Sequence, residues 1–203
     1  MSLRTTLLMS TAVLAIALPM LAAAQNSPPV RIRGTVEAAD AASVRVQTRE
    51  GNQVTLAIGS GTRYSAVKAL DLSAITSGSF IGTAGKPGPN GSVEAIEVLV
   101  FPEEARGSGE GHYDWDLLPG SSMTNATVAA AVSGNNGRDL DLVYQGKSIK
   151  VHVPQGVPVV TFALATQQDV KPGLAVFIVA SRVADGMNAA RIVVEKDGVK
   201  PPM

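Results

Sequence analysis

The sequence predicts an all-β fold of two tandem small OB-like barrels, about five strands each. Three observations predict it: short runs in which apolar and polar residues alternate, turn dipeptides between those runs, and an internal repeat. A chain of many short strands is stable when the strands close on themselves, because closure removes the unpaired backbone edge that an open sheet exposes.

Taken in order, Ile32, Gly34 and Val36 alternate with polar neighbours, as do Val44 and Val46, and then Val54, Leu56 and Ile58. Period-two alternation puts one set of side chains on a buried face. Asn90-Gly91, Asn136-Gly137, Asp185-Gly186 and Asp197-Gly198 supply the positive φ that tight turns between strands require. A single helical turn is expected before Gly78, around residues 70–75, and another before Gly173, around residues 166–170.

The repeat relates the two halves. "VRVQTREGNQVTLAIGSGTRY" (44–64) lies over "LDLVYQGKSIKVHVPQGVPVV" (140–160), with the same order of strand, Gly-containing turn and strand. "ITSGSFIGTAG" then lies over "VKPGLAVFIVA", pairing Gly78 with Gly173, and "GSVEAIEVLV" over "GMNAARIVV", pairing Ala95 with Ala189 and Val98 with Ile192. The length differences fall in turns, where a shared fold tolerates them. The organisation expected is therefore a first repeat over 29–100, a linker over 101–123, a second repeat over 124–196 and a tail over 197–203.

Residues 1–24 read as a secretory signal peptide: Arg4, an apolar run from Leu7 to Leu18, then Ala22-Ala23-Ala24. The expected product begins near Gln25 and resides in the periplasm. No other stretch approaches the roughly 20 apolar residues of a membrane-spanning helix, so no span is expected in the mature chain. The absence of cysteine rules out disulfides, thiolate metal sites and a lipid-modified N-terminal Cys. With 17 basic and 17 acidic residues the chain has no basic excess, which argues against nucleic acid as a partner.

The rare residues gather in the linker, "GSGEGHYDWDLLPGSSMTN" (107–125), which holds the only Trp and one of two His. If 112–116 runs extended, His112, Asp114 and Asp116 share one face and Tyr113 and Trp115 the other. Two readings follow. In the first, Tyr113, Trp115, Leu117, Leu118 and Met123 form an apolar plug or interaction segment between the barrels, with the acids facing water. In the second, His112, Asp114, Asp116 and Glu110 form a nitrogen and oxygen ligand set for a divalent metal. No other cofactor is expected. His152 alternates with Val151 and Val153 and should face solvent. Arg31, Arg33, Arg45 and Arg49 read as charge on one side of the first barrel, and Asn125-Ala126-Thr127 fits the glycosylation pattern.

The tandem repeat, the central "RGSGEGHYDWDLLPGSSMTNATV" and the terminal "DGVKPPM" resemble a family of small exported bacterial proteins of unassigned function, some labelled in genomes as metal ABC transporter permeases. That resemblance implies fold and compartment, and no catalytic residues. In relatives a basic residue is expected where this chain has Tyr113.

No G-x-S-x-G, Ser-Lys or Cys-His arrangement is visible, and no catalytic residue is assigned. The functional expectation is a periplasmic, non-enzymatic binding or interaction module for an exported protein or a small ligand, with divalent-metal binding as the alternative. The signal-peptide reading predicts that mass spectrometry of exported protein finds Gln25 or a near neighbour at the N-terminus; an intact Met1 would overturn it.

Overall fold

In a computed structural model of the chain, residues 28–134 and 137–202 are described. The signal-peptide stretch 1–24 and Asn136 of one expected turn lie outside them. Among the described residues thirteen strands form: β1 (Val30–Ala39), β2 (Ser43–Thr48), β3 (Gln53–Ala57), β4 (Arg63–Ala69), β5 (Phe80–Pro87), β6 (Val93–Val100), β7 (Gly111–Trp115), β8 (Ser121–Gly134), β9 (Gly137–Tyr144), β10 (Lys147–Pro154), β11 (Val159–Leu164), β12 (Ala175–Val183) and β13 (Gly186–Val194). Single 3-10 turns at Leu72–Ala74 and Gln167–Asp169 occupy the two places where the sequence predicts helical turns. The second is held by a capping box in which Thr166 and Asp169 satisfy each other's backbone N–H groups.

The fold is all-β, with one closed five-stranded barrel and eight further strands bonded outside it. The barrel runs β10-β9-β8-β5-β6, and β6 returns to β10 through parallel pairing of Val93 with Val151 and Glu94 with His152. Outside it, β13-β12-β1-β2-β3 follow one another, and Asn188 of β13 lies opposite Ala57 of β3. β4 and β11 pair antiparallel with each other, and join β13 and β6 respectively. β7 pairs with β8 alone.

Neither group of five strands comes from a single repeat. β5 and β6 of the first repeat complete the ring made by β8, β9 and β10, while β12 of the second repeat bonds to β1 and β13 follows it, pairing with β12 and β4. The exchange is reciprocal at the level of single hydrogen bonds. Gly78 N–H donates to Val128 C=O and Gly173 N–H to Val36 C=O, both at 2.8 Å. Gly78 and Gly173 have φ of 86° and 88°, a conformation that residues with a Cβ rarely adopt. The repeat extends to irregularities: β5 and β6 slip register at Ala84/Gly85 opposite Ala95, and β12 and β13 slip at Val179/Ala180 opposite Ala189. A matched pair of slips occurs at Val36/Ala38 and Val128/Ala130.

Burial follows the exchange. One cluster includes Val36, Val46 and Leu56 of the first repeat with Ile178 and Ile192 of the second. Another includes Ile81 and Val98 of the first with Leu140, Leu142 and Val151 of the second. A third, Val67, Leu99, Val160, Phe177 and Val193, draws on β4, β6, β11, β12 and β13. Phe101, Trp115 and Phe162 pack against its edge.

Cutting the chain between Arg106 and Gly107 separates each exchanged hairpin from the strands it pairs with. Fragments 25–106 and 107–203 expressed alone should be poorly stable, because each loses strands that cover its apolar face. Co-expressed, they should purify as a one-to-one complex, and the intact chain should unfold in one cooperative denaturant transition. Two independently stable fragments would contradict this.

Candidate functional site: a cavity beneath the linker strand

The linker is fastened to both groups of strands. β7 lies along β8, with His112 opposite Thr124, Tyr113 opposite Met123 and Trp115 opposite Ser121. The return turn is pinned by Ser121, whose hydroxyl lies 2.9 Å from Trp115 C=O and 2.7 Å from Leu118 C=O. On the other side, three arginines of the first repeat hold it. The Arg31 guanidinium sits 4.0 Å from the centre of the Trp115 ring, and Arg33 bonds Asp116 Oδ1 at 2.9 Å. Arg49 donates to Leu117 C=O and Asp116 C=O, both at 2.7 Å. An arginine fork matches paired acceptors and stacks on aromatic faces, so these contacts need Arg rather than Lys.

Of the metal-ligand set read from the sequence, the structure brings no group together. His112 Nδ1 pairs with Thr124 Oγ1 at 2.8 Å, and Asp116 turns toward Arg33 and Arg31. Glu110 Oε1 accepts the Gln145 backbone N–H at 2.9 Å, and Asp114 is exposed. The strand ends at Trp115, so alternation no longer holds Asp116 on the His112 face. Among the described residues, no group of three His, Cys, Asp or Glu is placed to hold a metal ion.

The apolar set divides. Tyr113 and Trp115 meet edge to face, 6.1 Å between centres, and line a cavity of about 80 Å³ together with Met123. Leu117 is half-buried and Leu118 is exposed. The other walls are Gly82 of β5, Glu97 and Leu99 of β6, Phe101, Asn125 of β8 and Phe177 of β12. Larger depressions exist, including one of about 680 Å³ beside Ala39 and Thr166 and one of about 560 Å³ that Trp115 also lines, beside His112 and Asp114.

Five buried side-chain polar atoms lack a hydrogen-bond partner among the described residues, and three of them, Glu97 Oε2, Trp115 Nε1 and Asn125 Oδ1, belong to side chains that line this cavity. Asn125 is oriented unambiguously. Its Nδ2 donates to Ser108 C=O and Gly109 C=O at 3.1 Å, which leaves Oδ1 on the opposite side as an acceptor. That oxygen lies against Gly82, where a Cβ would come within 2.6 Å of it and 3.0 Å of Phe101. Glu97 is 3 % exposed, and burial pushes its carboxyl up to about 8 against the opposing pull of the Arg33 charge. At neutral pH it is mostly the uncharged acid. Burial also raises the Tyr113 phenol, with Arg31 opposing.

Glu97, Asn125 and the arginine dock are the residues that sequence reading missed. Arg31, Arg33 and Arg49 look like surface charge and instead grip the linker, while Arg45 does pair at the surface with Glu37. Asn125 looks like a glycosylation acceptor and is 7 % exposed, closed off by the linker backbone. His152 pairs with Asp139 at 2.6 Å. Comparison with protein-family models, curated proteins and solved structures finds no match for this chain.

The raised carboxyl has a stability consequence of defined sign. Between pH 4.5 and about 8 the folded chain keeps a proton on Glu97 that the unfolded chain has released. Stability therefore falls as pH rises through this window, by about 1.4 kcal/mol per unit and about 5 kcal/mol at most. Denaturant unfolding of Glu97→Gln from pH 5 to 8.5 should lose this component and leave the variant more stable than wild type at the upper end. Parallel pH profiles would show Glu97 to be ionised throughout.

Proposed function

We propose that this protein is a periplasmic, non-enzymatic binding module, exported by its N-terminal segment and built from two small OB-like barrels, and that the cavity beneath β7 is its binding site. The second barrel of this reading is β1, β2, β3, β12 and β13, whose closure rests on the Asn188 and Ala57 pairing. Compartment and export follow from the signal-peptide pattern and from the resemblance to small exported bacterial proteins.

One observation carries the reading: three buried, unpartnered polar atoms belong to side chains that line a single aromatic-walled cavity. Leaving a buried polar group unpaired costs about 1–3 kcal/mol, so three together favour an occupant that satisfies them. Binding is preferred over catalysis because the polar groups there are an acid held neutral, an indole and an amide. These hold and orient a molecule and supply no nucleophile.

Trp115 is the only Trp and lines the cavity, so all indole emission comes from its wall. A panel of small amines, carboxylates, amides, polyols and divalent ions, titrated against the full mature chain, should include at least one that changes the emission saturably. No saturable change with any class would overturn the reading.

A further inference from the structure

The walls of the cavity discriminate among ligand classes, and the inference that follows rests on the cavity being the binding site. The geometry points to a small uncharged molecule that both donates and accepts hydrogen bonds, a primary amide or an alcohol of about four heavy atoms, held between Glu97, Trp115 and Asn125.

Size comes first. A volume of about 80 Å³ compares with about 30 Å³ per molecule in liquid water, so it admits roughly two or three waters or one solute of acetamide or ethylene glycol size. A peptide segment does not fit. The linker strand lies over the cavity, with Tyr113 38 % exposed at its outer side. An occupant is therefore a free small molecule held beside Tyr113 and Trp115.

The polar groups then set the chemistry. Trp115 Nε1 only donates and Asn125 Oδ1 only accepts, so an occupant that satisfies both must offer an acceptor and a donor. The Glu97 carboxyl adds to either side, donating through its O–H or accepting through its C=O. An alkylammonium has no acceptor for the indole N–H. Its usual place over an aromatic face is also taken, because Arg31 lies 4.0 Å from the Trp115 ring and Arg33 lies 5.1 Å from the Phe177 ring. A carboxylate has no proton for Asn125 Oδ1 and meets a second carboxyl at Glu97. An amide or alcohol places a donor and an acceptor on adjacent heavy atoms or on one, and its carbon skeleton lies against Leu99, Phe101 and Met123.

The test uses the full mature chain and four probes: acetamide, ethylene glycol, methylammonium and acetate. The readout is the single indole N–H cross-peak in a proton–nitrogen NMR spectrum, with Trp115 emission alongside. Acetamide or ethylene glycol should shift the peak saturably in the millimolar range expected of so small a ligand, while methylammonium and acetate leave it in place. Glu97→Leu, which keeps the size of the side chain and removes its polar atoms, should weaken that binding at least tenfold, and Glu97→Gln should retain it. Unchanged affinity in a folded Glu97→Leu overturns the assignment of Glu97; if that variant does not fold, retention or loss of binding in Glu97→Gln decides instead. Saturable binding of a charged probe overturns the ligand class and leaves the binding module standing. A peak that none of the four moves overturns the inference, with the wider panel deciding the module, and water alone then occupies the cavity.

Discussion

The reciprocal exchange of hairpins is the constraint on which the rest of the structure depends. β5 and β6 leave the first repeat to pair with β8 and β10, and β12 returns from the second to pair with β1. Two glycine N–H groups, Gly78 to Val128 and Gly173 to Val36, mark where the chain passes between groups of strands. β6 closes the barrel against β10 at one end and lies beside β11 at the other, and side chains on both of its faces are buried. Val98 then enters one apolar cluster while Leu99 enters another, and Glu97 is buried on the same side as Leu99. The exchange thus creates a third buried zone between the strand groups, and the cavity lies at its edge.

Within that zone the linker acts as a clamp. Trp115 is held on one face by Arg31, Asp116 is held by Arg33, and the following carbonyls are held by Arg49. Cation–π contacts at partly exposed sites contribute about 0.5–1 kcal/mol each, and exposed ion pairs less than about 1 kcal/mol. No single one fixes the segment, but together with pairing to β8 they give it one position. That position keeps solvent from Glu97 and so maintains its uncharged form.

Much of the architecture was legible in the sequence. Alternation located the strands, the repeat located matching glycines, and the two 3-10 turns fall where the apolar pattern breaks before Gly78 and Gly173. Which strand pairs with which was not legible, because alternation reports that a face is buried and carries no record of the neighbour that buries it. The same limit hid the site. Alternation from Val93 and Ala95 would put Glu97 on their face, but the register slip at Ile96 changes the phase of β6, so Val98 joins that cluster and Glu97 turns with Leu99 to the opposite face, which is also buried. The arginines were visible as residues, but their partners lie 67 to 85 positions away in the linker, a separation no local pattern encodes.

The repeat superimposes Glu97 on Arg191, since Ala95 matches Ala189 and Val98 matches Ile192. Arg191 is half-buried against the Phe162 ring, 5.4 Å from its centre, and burial lowers its affinity for its proton. Two positions matched by the internal repeat therefore carry opposite chemistry, an acid at one and a base at the other. The repeat is thus unequal in its chemistry: Glu97 borders a hollow, while Arg191 lies over an aromatic ring. Whatever meets this molecule therefore meets two unlike ends.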